Sequence, residues 1–220
     1  MCGRFSLSSN LNDLKNEFSD DLSGNFPARY NIAPGQDSVV VSLFDKKYNL
    51  QILNWGFNSL NTSQLLINAR SETVHQKVTF SKLLRFQRCL IPANSWFEWK
   101  SSKKPYLIKS RNSNLIAFAG LKRLSNNVDP QFIIITSESN QHLRSLHSRT
   151  PLVIDKKNYY KWTGSNYEEA LTLLKPINGN DFDFHPVSPA LGKVNNDNSS
   201  LVEKYDYKEN IDLPLFNHFN

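Results

Sequence analysis

Two cysteines, Cys2 and Cys89, and a single methionine, Met1, are all the sulfur in this 220-residue chain. Neither cysteine has a partner at Cys-x-x-Cys spacing, which argues against a disulfide framework or a structural zinc site. No apolar run is long enough to span a bilayer, and the first thirty residues lack a basic stretch leading into an apolar one. The expected location is therefore cytoplasmic, on the nucleoid in a bacterium or in the nucleus of a eukaryote. Glycine is sparse, and no repeat, linker or low-complexity tract divides the chain, so one domain over residues 1–220 is expected.

What the chain does have is material for a core, with 39% hydrophobic and 12% aromatic residues. The formal charge of +6 permits an anionic partner, though it also suits a merely soluble surface. Leu11, Leu14 and Phe18 recur at helical spacing and predict a short helix over 9–18. Phe26 to Gly35, with two prolines, reads as an ordered loop, and Val39–Phe44 and Tyr48–Trp55 read as a hairpin. A helix is expected over Val74–Phe86 with Val78, Leu83 and Leu84 inward. Strands follow at Arg88–Pro92, continued by Trp96–Trp99, and at Tyr106–Lys109, Leu115–Gly120 and Gln131–Ser137. Short helices are expected over Ser139–Leu146, Tyr159–Trp162 and Tyr167–Leu174, and from Pro176 to Asn220 a segment that wraps the surface or frays. Links between strands are too short for helical crossovers. The fold class is thus α+β, a mixed domain around a curved, largely antiparallel sheet or barrel-like core with flanking short helices.

Five residues carry candidate chemistry. Removal of Met1 would leave Cys2 with an α-amine and a thiol on adjacent carbons, a pair able to condense with an aldehyde as an imine and then close a thiazolidine ring. The plain alternative for a residue so near a terminus is disorder. Glu98, between aromatic residues, gains a raised pKa if it faces inward; because it shares a strand face with Trp96, strand alternation alone leaves its direction open. His147 follows a predicted helix, where a proton shuttle can be aimed into a cleft, although a lone histidine is more often structural. Asn68 and Arg70 share a strand face, suited to an amine and a phosphate or to an ordinary turn network with Ser71 and Glu72.

Together these stretches resemble the SOS-response-associated peptidase (SRAP) family: Met1-Cys2-Gly3-Arg4-Phe5, Tyr30-Asn31-Ile32-Ala33-Pro34-Gly35, Trp55-Gly56, Asn68-Ala69-Arg70-Ser71-Glu72-Thr73, Arg88-Cys89-Leu90-Ile91-Pro92-Ala93, Phe97-Glu98-Trp99, Pro105-Tyr106, Ala117-Phe118-Ala119-Gly120-Leu121, His147-x-Arg149 and Pro186-Val187-Ser188. The resemblance implies covalent capture of abasic sites in single-stranded DNA by a monomer that needs no metal or organic cofactor. It implies Cys2 as nucleophile, Asn68 holding the α-amine, and Glu98 and His147 moving protons. Arg4, Arg70 and Arg149 would bind phosphates, Thr136 would line the pocket, and Trp55 and Trp99 would contact DNA. Two rivals stand beside it: a thiol peptidase using Cys2 and His147, and a non-covalent single-strand binder.

Overall fold

The hairpin Asp37–Phe44 and Lys47–Trp55 turns at Asp45 and Lys46, whose φ values of 48° and 62° are the left-handed pair a two-residue β-turn needs. In the computed structural model, which describes residues 2–19, 22–58, 65–100, 104–125, 128–164 and 166–207, this hairpin is the start of a barrel. Its first strand borders Arg88–Ala93, and its second touches Val128–Glu138 in parallel at Asn54 and Trp55. Ile116–Ser125 pairs antiparallel with both Arg88–Ala93 and Val128–Glu138, and so closes the ring. Gly120 sits at that closure. A Cβ there would stand 2.0 Å from Ile91 Cδ1 and 3.1 Å from the Ile133 carbonyl oxygen, so the strands approach only because the side chain is missing.

A second sheet runs in the order Phe182–Pro186, Lys104–Ser110, Ser95–Lys100, Phe5–Leu7 and Arg29–Ile32, each strand antiparallel to the next. Its Phe5 and Trp96 meet Phe118 of the barrel edge to face, at centroid distances of 5.9 and 6.0 Å. The opposite face carries Phe97 and Leu107, covered by Val187, Leu191 and Leu201 of the C-terminal segment. The second sheet is therefore a middle layer, with the barrel on one side and that segment on the other. The α+β class with a curved, largely antiparallel, barrel-like core is the one expected, and no described helix is long and apolar enough to cross a membrane.

Several local expectations change. Arg29–Ile32 is a strand, because Pro27 and Pro34 fall outside it and leave its pairing with Phe5–Leu7 intact. Ser95–Lys100 does not continue Arg88–Ala93: the chain changes sheet at Asn94, whose Oδ1 accepts the Ser8 and Ser9 amides at 2.7 and 3.0 Å. The second helix spans only Val78–Phe86, with Phe80 and Leu84 buried and Val78 91% exposed at its first turn. The Ser139–Leu146 expectation contracts to Gln141–Arg144, capped by Asn140. The segment after Pro176 contributes a strand and wraps the surface as far as residue 207; residues 208–220 lie outside the described residues.

Arg88 ties this framework together. It is buried without a carboxylate partner among the described residues, and its guanidinium donates to the carbonyls of Leu84, Arg85, Trp162 and Gly164, at the C-terminal ends of two helices. Arg88→Met keeps the apolar stem and strands those acceptors, so a loss of about 2–4 kcal/mol is expected in urea unfolding. A loss under ~0.5 kcal/mol would show that the carbonyls find other donors.

Candidate active site

The chain terminus is held by pairing on both sides. Phe5 stands opposite Ile32 on one neighbour and Trp96 on the other, and the Arg4 carbonyl accepts the Phe97 amide at 3.0 Å. Cys2 is consequently 0% exposed. Asn68 comes from a different element, the Asn68–Arg70 strand, which runs parallel beside Ile134–Thr136. Its Nδ2 donates to the Cys2 carbonyl at 2.8 Å, while its Oδ1 is buried with no hydrogen-bond partner among the described residues. An open acceptor beside Cys2 suits the ammonium that loss of Met1 would create.

Glu98 points from the middle layer toward the barrel and is 3% exposed, which resolves the direction that strand alternation left open. Burial pushes its carboxyl up to about 7, so it is half protonated near neutrality. The Cys2 thiol is pushed well above its ordinary value, first by burial and then by the Glu98 charge, so it remains a thiol. His147 follows the Gln141–Arg144 helix and lies with Nδ1 4.0 Å from Glu98 Oε2, a separation too long for a hydrogen bond. Burial lowers the pKa of the imidazole, which favours its neutral form, and Nδ1 sits against the Arg149 backbone, 3.0 Å from its amide and 3.2 Å from its carbonyl.

Cys2, Asn68, Glu98 and His147 thus meet from four separate elements. The expected DNA contacts divide. Arg70 is exposed, and Arg4 is half-buried, its Cζ 5.8 Å from the Trp99 ring centre. Trp55 is fully buried against Phe5 and Phe132, its indole N–H on the Ile67 carbonyl. Thr136 is also fully buried, and its hydroxyl is taken up by the Ala69 carbonyl and the Arg149 guanidinium. Arg149 forks Glu72 at 2.9 and 3.0 Å and donates to the Thr136 carbonyl at 2.6 Å. Burial would raise the Glu72 carboxyl, but the Arg149 fork outweighs it and holds the group below its usual range.

Glu72 is therefore a site residue that sequence reasoning left in a turn network; the spacing signal for it was absent, since Arg149 lies 77 positions away. Asn31 and Asp197 were likewise missed. Asn31 is fully buried and accepts from Arg4, and Asp197 Oδ1 receives the Tyr30 and Asn31 amides at 2.5 and 3.1 Å.

A family model described as SOS response associated peptidase (SRAP) matches residues 1–194. The abasic site processing protein YoqW of Bacillus subtilis is 32% identical over 226 residues, covering 93% of this chain and all of that protein. The abasic site processing protein YedK of Escherichia coli is 30% identical over 220 residues, covering 92% of this chain and 99% of that one. Among solved structures, a Bacteroides thetaiotaomicron protein superposes with a TM-score of 0.77 at 21% identity, over 93% of this chain and the whole of that chain.

Because the folded Glu98 value lies above the ordinary one, the folded chain keeps a proton that the unfolded chain gives up between about 4.5 and about 7. The stability this group contributes is full below that window and lost as pH rises through about 7. Glu98→Gln keeps the shape and removes the titration, so its unfolding free energy should fall less than that of the parent across that window in urea titrations at fixed pH steps. Parallel pH curves for the two proteins would place the carboxyl at an ordinary value.

Proposed function

The chain belongs to the SOS response associated peptidase family, and from that premise and the buried Cys2–Asn68–Glu98–His147 group we propose that it captures abasic sites in single-stranded DNA as a thiazolidine on Cys2, after removal of Met1. The single observation that carries the reading is the Asn68 bridge to the Cys2 backbone beneath a carboxyl raised to about 7.

An abasic sugar rests mainly as a closed hemiacetal. Protonated Glu98 delivers a proton to the ring oxygen while the anomeric hydroxyl passes its own to neutral His147, and the aldehyde opens. The Cys2 amine, held by Asn68, adds to the carbonyl carbon, and water leaves to give the imine. The thiol sulfur then bonds to that carbon as its proton passes to nitrogen, closing the five-membered ring; aldehyde, amine and thiol become thiazolidine and one water. Both nucleophiles belong to one residue, so closure is intramolecular and strongly favoured. His147 moves protons to and from the sugar oxygen. Arg70 and Arg4 provide phosphate contacts that ignore sequence and weaken with salt. No cofactor is required, and the protein acts as a monomer.

A raised thiol pKa fits this order, in which the amine attacks first. It gives less support to a thiol peptidase, which needs a standing thiolate beside an imidazolium. Intact mass after incubation with a single-stranded oligonucleotide bearing one abasic site should show loss of Met1 and a condensed DNA adduct. Cys2→Ala should form none, and an undiminished adduct there would sink the proposal. His147→Ala should slow formation by about 10²-fold. Glu98→Gln should remove the inflection near pH 7 from the rate profile, and a profile with that inflection intact would deny Glu98 its role.

A further inference from the structure

Arg4 is two residues from Cys2, yet what orients its guanidinium comes from the far end of the chain. Nη1 donates to Asn31 Oδ1 at 2.5 Å and to the Leu191 carbonyl at 2.8 Å. Nε is buried without a partner, and Nη2 makes no hydrogen bond among the described residues. Nη1 is thus spent on anchoring, and Nη2 is left for a ligand. The Trp99 ring beside it rests on the same cluster that buries Leu191 and Leu201.

Asn31 is the junction. While its Oδ1 takes Arg4, its Nδ2 shares two protons among the carbonyls of Leu191, Lys193 and Asn196, at 3.2, 3.2 and 2.6 Å. Asp197 then fastens the same segment to the strand under it: one oxygen receives the Tyr30 and Asn31 amides, and the other pairs with the Arg29 guanidinium. A fully buried amide with both ends used, between a cation and three backbone carbonyls, is over-determined for a merely structural side chain on a short strand.

We propose that residues 187–202 form a strap that sets the DNA-facing edge of Arg4, with Asn31 as the positioning residue between strap and arginine. The inference rests on the reading of Arg4 as a phosphate contact given above. A guanidinium held along one edge loses less rotamer freedom on meeting a phosphate than a free one, so the strap raises affinity without touching DNA.

The test uses full-length Cys2→Ala protein and an intact single-stranded oligothymidine, so that it does not depend on capture chemistry. Asn31→Ala should weaken binding by about three- to tenfold. It should also reduce the slope of log affinity against log salt by about one, although it removes no charge. In an Arg4→Gln background it should cause no further loss. An unchanged salt slope in folded Asn31→Ala, losses that add to those of Arg4→Gln, or a parent protein without salt-dependent binding would each overturn the proposal. If Asn31→Ala loses its cooperative thermal transition, Asp197→Ala decides. Removing that negative charge should by itself strengthen binding to a polyanion, so a fall in affinity and slope supports the strap, and a rise overturns it. Failure of the parent Cys2 protein to capture an abasic site would instead refute the proposed function and leave this binding test standing.

Discussion

A three-residue strand, Phe5–Leu7, bonded on both edges, is the constraint on which everything else rests. Chain ends ordinarily fray, because the first few residues have too few contacts to offset their conformational entropy. Here the strand lies inside a sheet, with Phe5 wedged at 5.1 Å from Trp55 and 5.9 Å from Phe118 of the barrel beneath. Cys2, three residues ahead of Phe5, thereby gains the positional definition of a core residue. Trp55, fully buried, serves the site from below by packing against Phe5.

Burial then sets the protonation states that the chemistry uses. The same dry environment that holds Glu98 partly protonated also suppresses the Cys2 thiolate, and each charge would further penalise the other. Burial thus keeps the Cys2 sulfur a thiol. The Glu72–Arg149 fork neutralises the opposite wall, and the Arg149 backbone holds the His147 ring in place.

The sequence made legible those features that depend on local spacing. The hairpin, the helix capped by Asn10, and the shared face of Trp96 and Glu98 follow from periodicity and turn chemistry. Periodicity says which residues share a face, and it is silent on which layer covers that face. Val78 was expected inward and points out, and Trp55 and Thr136 were expected to meet a ligand and lie under other layers. The Asp197 contacts join positions 166 to 168 apart in sequence, so no window of the chain could have displayed them. Cys2, Asn68, Glu98 and His147 stand out by their chemistry, yet each taken alone has an ordinary structural explanation, and only the family resemblance joins them.

One edge of the Val128–Glu138 strand is occupied twice, first by Asn54 and Trp55 and then by Asn68 to Arg70, both running parallel to it. Between these two seats the chain leaves the barrel, and Phe57–Asn58 pairs with Leu65–Leu66 as a ribbon of its own. The barrel therefore measures only where Trp55 departs and where Asn68 returns. That ribbon is rooted in the core, since Phe57 is fully buried with the Arg123 guanidinium 4.4 Å from its ring centre. A ribbon anchored in this way delivers Asn68 to the Cys2 carbonyl from a fixed point of departure.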